Sequence, residues 1–502
     1  MTWETQKIAI VGAGVAGLCA AVYARTCGFD VDLIEQHETP GGLATRWRRG
    51  DYAFETCLHW LLGSNPDGRL HDMWDEVCDT DLLQFVYHEE FVRLETEHSE
   101  VLRVFADVDC LEREFLRVAP EDAVEIRQFT AAVRHLTDLP LPDPSADWIE
   151  RGWTMLRMLP EIPLLARLSR LSAESYGARF THPLLRRFFG EGPSARMSVL
   201  ALAFSLAWQS QHNAGYPIGG SQAVIGAIAQ RLGDLGGHLR CGAVVERILV
   251  ENDAAVGVQL AGGETIRSDW VISAADGHAT IYQLLDGRYT DASVESVFDR
   301  YESFPSYLQV SFGVARDLST EPGYLTIVLD APIAIDPETR LEQLSYRIFH
   351  YDPTCAIAGK TAVTCFLPTA NFGHWTALRS TDPARYHAEK ARIGEAVIAV
   401  LERRIPGIRR AIEVIDISTP ATVIRYTRNW KGSMQGWLIT PETGLGAIPA
   451  TLPGLDRFIR VGQWIQPGGG LPSGLMTARA ALKTICRGAH VPFRNRTHTL
   501  EM

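Results

Sequence analysis

The sequence lacks the features that mark several common protein classes. Its nine cysteines form no C-x-x-C pair, which excludes the usual spacings of zinc and thioredoxin-like sites. Their odd number gives no sign of a disulfide framework. No run reaches the ~18 apolar residues that a membrane-spanning helix needs, and the most apolar stretch, residues 199–208, is expected to be a buried helix.

Basic residues are also scarce: 48 lysines and arginines stand against 60 acidic residues, giving a net charge of −12. This balance argues against a general nucleic-acid partner, because phosphate binding needs a positive surface. Residues 1–7 run into an apolar strand without a charged and then apolar leader, so the chain is expected to be cytoplasmic. Its 502 residues suffice for about two to four domains.

What is present begins with a strand, a glycine turn, a helix and a second strand. Residues 8–11 are apolar, the turn has the G-x-G-x-x-G pattern, and the second strand ends at Glu35. Gly12 allows the sharp turn, Gly14 lets backbone approach a pyrophosphate, and Gly17 lets helix and strand pack closely. Glu35 is expected to accept hydrogen bonds from a ribose. The unit therefore predicts a dinucleotide site at the helix N-terminus.

This unit alone leaves the choice between FAD and NAD open. The pair Gly41-Gly42 supplies a second close backbone approach, and Arg46 supplies a nearby cation for phosphates. A second G-x-G-x-x-G unit does not occur downstream, so a separate NAD(P) domain is not evident.

The rest of the chain alternates between two architectures. Residues 306–367 contain four alternating runs that predict an antiparallel sheet, and an apolar strand returns at 458–461. We expect an α/β plus α+β fold, in which a Rossmann-type domain is interleaved with a substrate domain that carries a helical lid near 150–210. The predicted bounds are 1–70, 215–290 and 440–502 for the cofactor domain, and 71–214 and 291–439 for the substrate domain.

Four segments carry a resemblance to a known family. They are residues 11–42, 54–60, 216–276 and 461–472. Their order and spacing resemble the FAD-dependent phytoene desaturases, carotenoid isomerases and retinol saturases, and more distantly the flavin amine oxidases. The resemblance implies FAD, and since no His or Cys stands in a context like a flavin-attachment motif, the FAD is expected to be noncovalent.

The resemblance also implies which residues hold FAD. The backbone of Val244 or Val245 corresponds to the position that pairs with adenine, and Gly462 and Gln463 to the segment beside the ribityl chain. The turn before Gly470 would direct the last helix toward the flavin, where the helix dipole stabilises negative charge. The full predicted set is Gly12, Gly14, Ala16, Gly17, Glu35, Gly41, Gly42, Leu43, Arg46, His59, Trp60, Val244, Val245, Gly462, Gln463, Gly470 and Leu471.

Three positions depart from the family pattern. Leu43 stands where the glycine pair usually continues with arginine, so Arg46 or Arg48 is expected to substitute. Cys57 replaces a glycine, and Gln463 replaces a late acidic residue. These departures affect the phosphate contacts rather than the choice of flavin.

Catalysis is predicted to centre on His59. The resemblance places His59 and Trp60 close to the flavin ring, where a histidine titrating near neutral pH would exchange the proton that accompanies hydride transfer. The alternative is a structural histidine bonded to backbone. Trp60, Trp437 and Trp464 are candidate linings of an apolar substrate tunnel, although single tryptophans more often belong to the core.

Residues 151–187 form a basic and apolar segment. Seven arginines stand against two acids, a local charge of +5, among leucines and a tryptophan. Such a segment fits either an interfacial element that meets anionic lipid headgroups at the inner face of a membrane, or an amphipathic lid over the substrate mouth.

The function predicted from these patterns is an FAD-dependent oxidoreductase acting on carbon–carbon bonds of a lipophilic polyene or isoprenoid. Desaturation, saturation, isomerisation and reductive cyclisation all fit. One alternative is an amine oxidase that oxidises a C–N bond. Another is a non-enzymatic prenyl-binding escort protein of the same fold.

Overall fold

The structure is a computed structural model that describes residues 5–56, 58–137, 139, 148–192, 195–444, 446 and 448–496. The side chains of residues 148–151 and 155 lie outside this description, as does Cys57. The strands are β1 Lys7–Val11, β2 Asp30–Ile34, β3 Arg46–Arg49, β4 Tyr52–Glu55, β5 Leu61–Leu62, β6 Phe85–Val86, β7 Glu90–Thr96, β8 Val101–Phe105, β9 Ala214–Pro217, β10 His238–Arg240, β11 Val245–Glu251, β12 Ala254–Leu260, β13 Thr265–Arg267, β14 Trp270–Ser273, β15 Ser306–Val314, β16 Tyr324–Ala334, β17 Arg340–Ile348, β18 Thr361–Thr369, β19 Ile412–Ser418 and β20 Phe458–Arg460.

The other long regular elements of the described residues are α-helices. They are α1 Val15–Thr26, α2 Arg69–Val77, α3 Val108–Val118, α4 Ala123–Thr137, α5 Trp148–Met158, α6 Ile162–Ser169, α7 Ala173–Gly177, α8 Pro183–Gly190, α9 Val199–Ser210, α10 Gly220–Asp234, α11 Gly277–Ala279, α12 Ala292–Arg300, α13 Phe372–Thr381, α14 Pro383–Arg404, α15 Ile408–Ala411, α16 Pro420–Thr427 and α17 Gly470–Gly488.

A parallel five-stranded sheet forms the first layer, with strand order β10-β2-β1-β14-β20. Its central strand, β1, buries Ile8, Ala9 and Ile10 completely, because helices α1, α10 and α17 cover one face and the β11–β13 meander covers the other. A strand covered on both faces reads as a continuous apolar run, as this one does. The predicted Rossmann-type domain is confirmed.

A mixed seven-stranded sheet forms the second layer, with strand order β19-β15-β18-β17-β16-β7-β8. The four central strands are antiparallel, as predicted, and the hairpin β7–β8 extends them by pairing β7 parallel to β16. One face packs on α14 through Ile393, Val397 and Leu401. The predicted antiparallel sheet and interleaved α+β architecture are therefore confirmed.

Helices α5 to α9 follow one another over residues 148–210. Helix α9 covers the most apolar stretch of the sequence and is buried in a third apolar cluster, where Val199, Ala203 and Ala207 have no exposed surface. The expectation of a buried helix there is confirmed. The domain bounds given above stay a prediction, since the strands fall inside the proposed segments without fixing where each segment ends.

Candidate active site

A cavity of about 700 Å³ lies at the carboxyl edge of the parallel sheet. The ends of β1, β2, β14 and β20 reach it, and helices α1, α16 and α17 and the end of β19 close it. Ligands of open α/β sheets bind at this edge. Twelve of the predicted cofactor residues line the cavity: Gly12, Gly14, Ala16, Glu35, Gly41, Gly42, Leu43, Val245, Gly462, Gln463, Gly470 and Leu471.

The three glycines of the first turn have different roles. Gly12 has φ +95°, and a Cβ there would lie 3.3 Å from the Ala274 backbone. A Cβ at Gly17 would lie 1.8 Å from the Gly12 carbonyl oxygen, so this glycine is needed for the contact between helix and turn and does not line the cavity. A Cβ at Gly14 would meet only the Gly41 carbonyl oxygen, at 3.9 Å. Gly14 is therefore the glycine that keeps space for a ligand.

Two helix N-termini meet at this cavity. Helix α1 begins after Gly14 and α17 begins after Gly469, and neither first turn has a side-chain cap or an acidic residue. The helices approach closely, since a Cβ at Gly474 would lie 2.6 Å from Val15 Cγ1. Uncapped N–H groups and the helix dipoles favour a negatively charged ligand at both ends. This convergence fits the pyrophosphate and the electron-rich edge of a reduced flavin.

Glu35 is fixed at the end of β2. Its carboxylate accepts hydrogen bonds from the Ala13 N–H at 2.8 Å and the His37 N–H at 2.9 Å, and it is 7% exposed. These two bonds leave lone pairs of the carboxylate free to accept hydroxyl hydrogens. The position suits the ribose contact predicted for it.

The two valines predicted to contact adenine, Val244 and Val245, differ in their position relative to the cavity. The Val244 carbonyl accepts the Ala261 N–H at 2.8 Å, and Val244 does not line the cavity. Val245 begins β11 and lines it. Of the two valines, Val245 is thus the one that is placed to contact a ligand in the cavity, and its adenine contact stays a prediction.

Arg46 does not line the cavity. Its Nη1 donates to Thr354 Oγ1 at 2.9 Å and lies 3.5 Å from Asp352 Oδ2. Side chains alternate along a strand, so Trp47 and Arg49 of β3 reach the cavity while Arg46 points to the other side. The phosphate contact predicted for Arg46 is wrong for this geometry.

Other basic side chains reach the cavity instead. Lys390, Arg425 and Arg428 line it from α14 and the end of α16. Sequence reasoning missed them because they stand about 400 residues after the glycine turn and belong to no motif. The packing of α14 and α16 at this edge of the cavity brings them there.

Glu55 joins two of the motif segments. It is buried, and Ser221 donates to its carboxylate through the backbone N–H at 2.9 Å and through the hydroxyl. Burial raises the pKa of Glu55 to about 7, against the lowering effect of these hydrogen bonds. The strand that carries residues 52–55 is thereby held beside the start of α10.

The three tryptophans predicted to line a substrate tunnel lie in different environments. Trp464 lines the cavity, and its Nε1 donates to Asn429 Oδ1 at 3.0 Å. Trp437 is fully buried; its Nε1 donates to the Trp464 carbonyl and its ring lies 5.0 Å from that of Trp464. The tunnel role predicted for Trp437 is wrong in this geometry, because the residue fills the layer behind Trp464. Trp60 lies outside the cavity lining, with its ring 5.5 Å from Phe91.

His59 lies beside the cavity rather than in its lining. Its ring is 5.2 Å from Phe366, whose ring is 5.6 Å from Tyr307, and Tyr307 lines the cavity. His59 Nε2 is buried without a hydrogen-bond partner among the described residues. Burial, and then the positive charge of Arg347, hold the pKa of His59 well below its usual range. The expected titration near neutral pH is therefore wrong, and so is a backbone bond at Nε2.

We expect His59 to act as a neutral hydrogen-bonding group and not as a proton reservoir. His59→Gln keeps a hydrogen-bonding side chain, so flavin reduction by substrate is expected to stay within about threefold of wild type, whereas His59→Ala is expected to slow it at least about tenfold. Because the imidazole is already neutral above its lowered pKa, the ratio of wild-type to variant rates is expected to be constant from pH 6 to 8. Stopped-flow flavin absorbance measures both quantities.

The opposite result has a clear signature. If His59 were a general acid–base catalyst, both variants would lose its contribution and be slower than wild type by about 10²–10⁴-fold. The ratio of wild-type to variant rates would then change between pH 6 and 8. Bound flavin, measured before each experiment, controls for misfolding.

Comparison with known proteins agrees with this geometry. Residues 10–77 match the family described as NAD(P)-binding Rossmann-like domain. The chain is 25% identical to the phytoene desaturase (neurosporene-forming) of Cereibacter sphaeroides, over 96% of this chain and 94% of that one. It is 24% identical to the chloroplastic prolycopene isomerase of Arabidopsis thaliana, over 92% of this chain and 79% of that one.

A solved structure shows the same fold. Cyclohexylamine oxidase from Brevibacterium oxydans superposes with a TM-score of 0.61, at 15% identity, over 97% of this chain and 100% of that one. At this identity the likeness concerns the fold alone. The cavity combines the glycine turns, the two helix N-termini and the Glu35 carboxylate, and this arrangement fits FAD. The chain is thus an FAD-dependent oxidoreductase of Rossmann-type fold that resembles the carotenoid desaturases and isomerases over nearly its whole length.

Proposed function

We propose that this oxidoreductase changes the carbon–carbon bonding of a lipophilic polyene or isoprenoid. The observation that carries the proposal is the near full-length similarity to two desaturases and to prolycopene isomerases, on a chain whose cavity fits FAD. Bound FAD supplies the transfer of a hydride, which is the difficult chemistry. The chain supplies binding, orientation and exclusion of water.

The proposed division of labour follows the geometry. Gly12, Gly14 and Glu35 hold the adenosine diphosphate half of the cofactor, and the N-terminus of α17 stabilises negative charge at the other end. Trp464 and Tyr307 line the same cavity and shield it from water. His59 stands one aromatic ring away, as a neutral group that orients substrate.

Product analysis tests the proposal. Cells that express the chain are given candidate polyenes, and lipid-soluble products are analysed by mass spectrometry; we expect a product that differs by two hydrogens or by the geometry of a double bond. The same protein is assayed with amines for peroxide release. Peroxide formed from amines, with unchanged polyenes, would support C–N oxidation instead.

We also propose that the enzyme works at an anionic membrane surface. No helix in the described part of the chain is both long enough and apolar enough to cross a bilayer. The α5–α6 segment, residues 148–169, instead presents large apolar side chains to solvent: Trp153, Leu156, Leu159 and Ile162 are 63%, 55%, 51% and 44% exposed. Such an apolar surface with basic neighbours suits a peripheral contact with headgroups.

A further inference from the structure

The inward face of the seven-stranded sheet is unusually polar for a site that takes a hydrocarbon. On β17, Leu344, Tyr346 and Ile348 point into the apolar core, so the alternate side chains point the other way. That other face carries two cross-strand rows. One row is Ser311, Thr364, Arg347 and Tyr324, and the next is Gln309, Phe366, Ser345 and Thr326.

Arg347 is a buried cation on this face. It is 4% exposed, and its Nε has no hydrogen-bond partner among the described residues. Within the same part of the chain, no carboxylate comes within 4.0 Å of its guanidinium. Its Cζ lies 4.0 Å from the centre of the Tyr324 ring, which offsets part of the cost of burying the charge. Buried charges are normally paired, so Arg347 is an exception that requires an explanation.

Several polar atoms around Arg347 also lack hydrogen-bond partners. His59 Nε2, His88 Nε2 and the Tyr351 hydroxyl are all buried without partners in the described structure. The charge of Arg347, after burial, lowers the pKa of both histidines, that of His88 to about 4. Both imidazoles are therefore neutral at pH 7, and the guanidinium is the dominant charge.

Asp352, five residues after Arg347, already has hydrogen-bonding partners of its own. Asp352 accepts hydrogen bonds from the Tyr216 hydroxyl at 2.9 Å and the Gly219 N–H at 3.1 Å, and Arg46 lies 3.5 Å away. It is fully occupied by these partners. The described residues therefore supply no opposite charge for Arg347.

The distance from Arg347 to the cofactor cavity sets the length of the ligand. Tyr307 of β15 lines the cavity and pairs with Pro368 of β18, whereas Arg347 of β17 pairs with Thr364 of β18. Arg347 is therefore displaced from Tyr307 by four residues along the strands and by two strands across the sheet. At ~3.3 Å per residue and ~4.8 Å per strand, this is roughly 16 Å. A ligand that reaches both points is a long, thin molecule.

We propose that Arg347 binds the carboxylate of an apolar, chain-like acid whose reacting carbons lie in the cofactor cavity. The Tyr351 hydroxyl and the neutral imidazoles of His59 and His88 complete the contact as hydrogen-bonding groups. A purely hydrocarbon substrate would leave these buried polar atoms unsatisfied, at a cost for each of them. The inference deepens the proposed function, on which the position of the reacting carbons rests.

Equilibrium binding tests the inference with a matched pair of ligands. The flavin-loaded full chain is titrated with all-trans-retinoic acid and with all-trans-retinol, which share a polyene and differ in the end group. We expect the acid to bind at least about tenfold more tightly to wild type, since a buried charge pair contributes strongly when both partners are present. In Arg347→Gln this preference is expected to disappear, and in Arg347→Lys to return in part.

Arg340→Gln is the matched control, because Arg340 lies on the same strand, is exposed, and loses the same charge. It should keep the preference for the acid. Equal binding of acid and alcohol by wild type, or an unchanged preference in Arg347→Gln, would overturn the inference. If Arg347→Gln yields no flavin-loaded protein, Tyr351→Phe carries the test: a preference reduced several-fold supports the site, and an unchanged one overturns it.

The binding assay requires no turnover. If no polyene product is found, the preference for the carboxylic acid in the binding assay remains valid. If the titration shows no such preference, the proposed reaction on polyenes is not affected.

Discussion

A Gly14→Val protein is expected to fold and to contain no FAD. The fold tolerates the change because Gly14 has φ −68° and ψ −179°, which valine adopts, and a Cβ there meets no protein atom closer than 3.9 Å. The cofactor does not tolerate it, because the added side chain occupies the space where backbone must approach the pyrophosphate. We expect FAD affinity to fall at least about 100-fold, or roughly 3 kcal/mol.

Two measurements are needed together. Circular dichroism or thermal unfolding reports the fold, and flavin absorbance of the purified protein reports the cofactor. Gly226→Ala is the control, since a Cβ at this position in α10 meets nothing within 4 Å and Gly226 is not among the residues that line the cofactor cavity. A folded Gly14→Val protein with stoichiometric FAD would show that the first glycine turn is not the cofactor site.

Replacing Arg157, Arg167 and Arg170 by glutamate is expected to abolish binding to anionic vesicles. All three side chains are exposed in or next to the α5–α6 segment, beside the exposed Trp153. Each basic side chain near an anionic surface contributes about 1 kcal/mol, so the loss of three corresponds to about 100-fold or more in affinity. Cosedimentation with vesicles that contain phosphatidylserine measures the effect.

The control carries the same change of charge on another surface. Arg300, Arg410 and Arg487 are exposed and distant in sequence from this segment, and their replacement by glutamate should leave most of the binding intact. If the first triple variant cosediments like wild type, the α5–α6 segment is an ordinary lid and the membrane proposal fails.

Several residues of the candidate site could be predicted from the sequence. Gly12, Gly14 and Glu35 were predictable because their function depends on local backbone: a positive φ, a free helix N-terminus and the end of the adjacent strand. Val245, Gly462 and Gly470 were reached through the family resemblance, and the structure brings them to the same cavity.

The failures have a common cause. Arg46 and Trp437 were chosen for their residue type and their distance along the chain from a motif, and neither criterion gives the direction of a side chain. Alternation along β3 turns Arg46 away from the cavity, and packing behind Trp464 places Trp437 in the core. His59 was expected to titrate near neutral pH, but burial and the charge of a residue 288 positions away lower its pKa.

The sequence by itself determined the dinucleotide site, the Rossmann-type sheet and the antiparallel sheet, because glycine turns and hydrophobic periodicity are local and act through backbone geometry. The choice of FAD came from the family resemblance of four separated segments. The tertiary structure alone decided the surroundings of Arg347. Arg347 is an ordinary arginine in an alternating strand until β15, β16, β17 and β18 pair and bury it beside His59 and Tyr351. Charge, burial and missing partners are properties of an environment assembled from distant segments, and no single segment encodes them.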